Sequence, residues 1–177
     1  MDFMELVRQR RSVRRFEPRE VSRDTIARIL GAALRAPSSK NVRSTTFVTV
    51  TAPEVLERIS RMRDFGSAFL AGAPAAVVVT GDRSATDLWV DNCAISATYV
   101  QLAAEDLGLA SCWVHVNGRL RMKDDPGAGY ADEYLRTILP VPDGFGILCA
   151  VALGYPAEGE RRPHREPAAA DKVIWME

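Results

Sequence analysis

The chain has 177 residues, 47% of them apolar, and its 23 basic residues are balanced by 23 acidic ones. That length and apolar content fit one domain with its own core and exclude a disordered chain, while the zero net charge argues against a general nucleic-acid coat. Three scattered cysteines (Cys93, Cys112, Cys149) and two histidines (His115, His164) match neither a disulfide framework nor a zinc site.

The amino terminus alternates charged and apolar residues and shows no signal-peptide pattern. The longest apolar stretch, 69–80, is broken by Gly72 and Pro74 and is too short to span a bilayer. A soluble protein of the reducing cytoplasm is the expectation.

Asp2 with Glu5 three residues on resembles a capping box, and Phe3, Leu6 and Val7 mark a short amphipathic helix ending near Arg10 or Arg11. Ser22 can cap a second helix carrying Ile26, Ile29, Leu30, Ala33 and Leu34, which Pro37 stops. "FVTV", 47–50, reads as a strand, and a helix follows over 53–62. "AAVVVT", 75–80, does not alternate, so it reads as a strand buried on both faces. The segment 89–107 is a long helix with Ile95, Tyr99, Leu102 and Ala103 on one face, closed by Gly108. A short strand over 111–116, a loop at "GAGYAD" (127–132), a helix over 131–139 and the buried strand "GILCAVALG" complete the order. Helices interleave with at least four strands, which argues for an α/β or α+β domain whose sheet is covered by helices. The last residues are charged and proline-rich yet end in "VIWM", an apolar tip that needs a dock, for which a second subunit is one candidate.

Two segments carry chemistry. "RQRRSVRRF" places five arginines around Ser12 within residues 8–16. If the chain is extended after the first helix, Arg10, Ser12 and Arg14 share one side and Arg11, Val13 and Arg15 the other. Two guanidinium forks flanking a hydroxyl make a phosphate seat, each charge-assisted bond contributing roughly 1.5–3 kcal/mol. The competing readings are a solvated helix end, where each charge contributes only about 0.3–1 kcal/mol, and a nucleic-acid arm. "APSSKN", 36–41, leaves exposed amides after a helix, and Asn41 can donate and accept toward a heterocycle edge. It reads equally as an ordinary loop.

Together, "RRSVRRF", "APSSKN", "LAAEDLGLASCWVHV" (102–116) and "ALGYPAE" (152–158), followed by a basic stretch, resemble the FMN-dependent nitroreductase family in order and spacing over nearly the whole chain. The resemblance implies an α+β fold with a central mixed β-sheet covered by helices, an extended C-terminal tail (160–177) packing on a partner subunit, and one FMN-binding domain. It assigns the ribityl and phosphate part of FMN to Arg10, Arg11, Ser12 and Arg14. It assigns the flavin ring to Ser38, Ser39 and Asn41, approaching from the other chain of a homodimer. Trp113, Val114 and His115 occupy the strand that passes the flavin, with a backbone amide facing its reactive nitrogen. Among Arg161, Arg162 and Arg165, the last two are preferred for completing the phosphate site. The implied activity is hydride transfer from NADH or NADPH to FMN and then to an electron-poor acceptor such as a nitroaromatic or quinone, in ping-pong order, with no catalytic side chain, metal, nucleic acid or membrane.

The pattern departs from the family after the loop, where Arg43, Ser44 and Thr45 replace Gln-Pro-Trp, and in "HVNGR", which lacks the usual glycines. Arg43 fits either an anionic substrate or the nicotinamide cofactor's phosphates, or a surface ion pair. His115 is either a proton donor at the flavin or a strand-end histidine with one backbone bond, and the cysteines read as core. Two further function classes stay open: a flavoprotein with a specialised reaction (dehalogenation, ring cleavage) or a sensor role, and a non-flavin binder of phosphate or nucleic acid.

Overall fold

The computed structural model describes residues 2–161 and 172–176. The elements are α1 (Phe3–Gln9), α2 (Arg23–Ala33), β1 (Thr45–Val50), α3 (Pro53–Ser60), β2 (Ala75–Asp82), α4 (Trp89–Asp106), β3 (Ala110–His115), β4 (Leu120–Met122), β5 (Asp125–Tyr130), α5 (Ala131–Arg136) and β6 (Phe145–Gly154). Four strands form a sheet in the order β1-β2-β6-β3, with all three ladders antiparallel. The parallel pairing is a single bridge, Ser12 to Ser111, at the β3 edge. The α+β expectation holds.

β2 and β6 are buried along nearly their whole length because helices cover both faces. One apolar cluster joins α2 and α4 to the sheet through Ile29, Val77, Val100 and Val151, and the other joins α3 and α5 through Leu56, Ile59, Val78 and Leu135. Ser22 caps α2 by accepting from the Thr25 amide at 3.2 Å, worth about 1 kcal/mol. Asp2 makes no such side-chain bond, so the expected capping box does not form. Glu5 instead accepts from Gln9 one turn ahead at 2.9 Å.

α4 buries its small and polar residues, Asn92, Cys93, Ser96, Ala97 and Ala104, while Ile95 and Tyr99 are exposed. The close approach of helix and sheet explains the choice. A Cβ on Gly81 would stand 2.7 Å from the Cys93 Sγ, and one on Gly146 2.4 Å from the Trp89 ring. The larger apolar side chains therefore occupy the outward face, beside the exposed Phe3, Met4 and Val7 of α1. Phe3, Leu6, Tyr99 and Leu102 line a cavity of about 400 Å³ between these helices.

The "GAGYAD" segment is not a loop: 125–130 form β5, hairpinned on β4 with an irregular register. Gly129, at φ 79°, leaves room for the Glu133 carboxylate to accept from the Tyr130 amide at 2.8 Å. That bond starts α5 and fixes the hairpin to it. In the tail, Ile174, Trp175 and Met176 are almost fully exposed.

Candidate functional site

α1 ends when the Arg10 amide donates to the Leu6 carbonyl at 3.0 Å, after which the chain is extended. Val13 is buried while Ser12 and Arg14 on either side are exposed, the alternation a strand requires. Backbone bonds strap this segment down: the Val13 amide donates to Ser111 at 3.0 Å, Glu17 to Tyr155 at 2.9 Å, and Ala157 to Arg15 at 3.0 Å. Arg15 pairs with Glu160 at 2.7 Å. Arg10 and Arg14 stand instead within electrostatic reach of the Cys112 thiol: burial raises its pKa, and the charges of Arg14 and Arg10 pull it back. The guanidinium of Arg14 also lies 5.9 Å from the centre of the Phe69 ring, and both line an open cavity of about 690 Å³.

β3 is an edge strand. In an antiparallel ladder a residue turns its amide and carbonyl to the same side, and successive residues alternate. Because the Ser111 carbonyl serves Val13, the backbone groups of Ser111, Trp113 and His115 face the open edge. Those of Cys112 and Val114 face β6. The bond from the Val116 amide to Leu148, at 2.9 Å, fits this phase. Arg63 Nη1 reaches the outward His115 carbonyl at 3.5 Å. The Trp113 and His115 rings stack at 6.2 Å. The His115 pKa is lowered, first by burial and then by the charge of Arg119, with Arg63 adding to it and a bond to the Asn117 backbone opposing it.

The "APSSKN" loop is ordered by contacts within its own chain. Asn92 Oδ1 accepts from the Ser39 amide at 2.8 Å, and its Nδ2 donates to Ser44 Oγ at 3.1 Å. Ser38 Oγ accepts from the Arg43 amide at 3.0 Å, and Asn41 Oδ1 accepts from Arg43 Nε at 3.2 Å. Lys40, Asn41 and Arg43 all have positive φ, between 48° and 55°. Arg43 makes no ion pair with a described residue, so the surface ion-pair reading finds no partner there. This loop runs into β1, whereas the arginine segment lies on β3. The two expected halves of the site sit at opposite edges of the sheet, three inter-strand spacings or about 14 Å apart.

Arg161 is committed elsewhere: it pairs with the buried Glu105 and donates to the carbonyls of Gly108 and Leu109 at the end of α4. Arg162 and Arg165 lie outside the described residues. The cysteines are core residues, with Cys93 pushed up to about 11 by burial and Cys149 raised well above the ordinary thiol value. No cluster of metal-ligating side chains occurs among the described residues, and no helix there is long and apolar enough to cross a membrane. Asn92 belongs to no motif and follows Asp91, so nothing in the sequence marks it; Ser111 lies within the 102–116 stretch, where its signal is a polar residue among the apolar neighbours of a strand.

The Nitroreductase family model matches residues 7–62 and 60–155. The "Putative NADH dehydrogenase/NAD(P)H nitroreductase" of Methanothermobacter thermautotrophicus is 34% identical over 161 residues, covering 89% of this chain and 79% of that protein. An iodotyrosine deiodinase of Haliscomenobacter hydrossis is 27% identical, covering 98% of this chain and 89% of that protein. The structure of an FMN-dependent nitroreductase from Clostridium difficile superposes with a TM-score of 0.89 at 34% identity, covering 98% of both chains. With the family model spanning nearly the whole chain and these relatives alike over most of their length, this chain belongs to the nitroreductase family.

Proposed function

We propose that the protein is an NAD(P)H-dependent FMN oxidoreductase that binds its flavin along the open edge of β3 and reduces an electron-poor acceptor such as a nitroaromatic or quinone. The observation that carries this reading is the edge itself. Two outward amides, at Trp113 and His115, stand beside a strapped segment presenting Arg10, Ser12 and Arg14.

The residues fit the cofactor. The backbone of Ser111 bridges to Ser12, and the Ser111 Oγ is buried without a hydrogen-bond partner, so polar hydrogen-bonding capacity beside the arginine segment is left unused within the described chain. Arg10 and Arg14 with Ser12 would hold the phosphate and ribityl part, with Arg11 assisting and Arg162 and Arg165 completing the phosphate site. The backbone of Trp113 and His115 would hold the flavin ring; the Val114 amide faces β6 and takes no part. Bound FMN supplies the hydride chemistry. The chain positions the ring, keeps fixed positive charge near it and offers backbone donors where negative charge develops.

A homodimer completes the site. Ser38, Ser39 and Asn41, about 14 Å of sheet away in the same chain, reach the flavin from the partner. The exposed apolar faces of α1 and α4 and the "VIWM" tip supply surface for that interface. The whole is one domain with its tail on the partner, and its three free, buried cysteines suit the cytoplasm.

The test is a spectrum of the purified protein followed by titration with NADH and NADPH. A flavin absorption band that bleaches with either donor and recovers on adding an acceptor is expected. A colourless protein, or a flavin that stays oxidised, would overturn the reading.

A further inference from the structure

A cavity of about 260 Å³ opens between the segment after α3 and the turn joining β3 to β4, lined by Arg63, Asp64, Phe65, Arg119 and Lys123 among others. Asp64 is its one acidic lining residue, and its Oδ2 accepts from the Lys123 backbone amide at 2.9 Å. Neither Arg119 nor Lys123 forms an ion pair with a described residue. Arg63 Nη1 touches the His115 carbonyl, and its Nε is buried with no partner. Arg63 thus links the cavity lining to the outward His115 carbonyl at the end of β3. Phe65, 74% exposed, presents a bare ring beside these cations.

Three cations against one engaged carboxylate focus positive potential at the cavity. An exposed aromatic ring at its rim offers a stacking face for a planar group. Arg119 and Lys123, in no ion pair with a described residue, can serve an anion from outside.

We propose that this cavity is a substrate subsite, in which Arg119 and Lys123 hold the phosphate or carboxylate of a planar substrate while Phe65 covers its ring. The proposal rests on the reading that the flavin lies along β3. The anion has two possible sources, the 2′-phosphate of NADPH or the carboxylate of an aromatic acceptor, and both meet the same residues.

The experiment compares the flavin-loaded protein with Arg119→Ala/Lys123→Ala, after flavin absorbance has established cofactor content. kcat/KM is measured for 4-nitrobenzoate against 4-nitrobenzamide, and for NADPH against NADH. The wild-type protein should favour the more anionic member of at least one pair by roughly five- to tenfold at low salt. That ratio should fall toward one in the double variant, and in the wild-type protein at high salt. Collapse in the acceptor pair assigns the anion to the acceptor, and collapse in the nicotinamide pair assigns it to the 2′-phosphate. Should the alanine variant fail to hold flavin, Arg119→Gln/Lys123→Gln and the wild-type salt dependence provide the same readout. A flavin-loaded enzyme with ratios near one, or with ratios the substitutions leave unaltered, overturns the subsite alone. A protein that carries no flavin overturns both readings.

Discussion

The two edges of the sheet are built on different principles. At the β3 edge the strand leaves backbone donors pointing outward, a buried hydroxyl without a partner, and two arginines whose charges meet near Cys112. At the β1 edge Ser38, Ser39 and Asn41 each have a partner within the chain, and Asn92 ties their loop to α4. One edge is incomplete and the other is satisfied. On our proposal the incomplete edge binds the flavin, and the satisfied loop, with its fixed backbone geometry, serves as a preformed wall for the partner's site.

The largest expected effect follows from the incomplete edge. Arg14→Ala should weaken FMN binding by about ten- to a hundredfold, the loss of one charge-assisted contact to phosphate, measured by flavin fluorescence on dilution. Next comes the anchor of the satisfied edge. Asn92→Ala leaves the Ser39 amide and buried Ser44 without their partners, so urea unfolding should show a loss of about 2 kcal/mol. A variant as stable as the parent would mean that the loop is not held by Asn92.

The third prediction concerns His115. Its pKa lies below the ordinary 6.5, through burial first and Arg119 next. The neutral imidazole therefore contributes stability that is complete above about pH 6.5 and is lost as pH falls through the folded value. In Arg119→Ala an imidazole NMR titration should move upward, shrinking that loss; an unmoved titration would separate Arg119 from the β3 edge. The smallest effect belongs to Arg15→Ala. Its pair with Glu160 is exposed on the arginine side, so stability should change by less than about 1 kcal/mol and FMN binding hardly at all. Equal loss of FMN in Arg14→Ala and Arg15→Ala would refute the alternation that divides the cluster.

Much of this was legible from residue order. Unbroken apolar runs announced β2 and β6, Ser22 and Pro37 bounded α2, and Gly108 closed α4. The alternation of Arg10, Ser12 and Arg14 around the buried Val13 followed from strand geometry alone. The β4–β5 hairpin was not legible. Its Pro and Gly residues carry no strand propensity, and it is held by backbone pairing, by Asp64 bonding to the Lys123 amide and by Glu133 bonding to the Tyr130 amide. Nor does periodicity reveal which face of α4 meets the sheet. That depends on how closely the helix approaches Gly81 and Gly146, so the small residues go inside and the larger ones out. Strand order is likewise absent from local patterns, and it alone puts the two expected halves of the site at opposite edges of the sheet. Arg63 and Arg119 lie far apart in the chain, and only the fold brings them to one cavity.

Mixed dimers test the two-chain site most directly. Arg10→Ala/Arg14→Ala disables the β3 edge, and Ser38→Ala/Asn41→Ala disables the loop. Each variant alone should reduce acceptors poorly. Random mixing of the two gives half mixed dimers, in each of which one of the two sites is intact, so activity should recover to roughly a quarter of wild type. Mixed protein no more active than its parents would contradict a site shared between the β3 edge of one chain and the loop of the other.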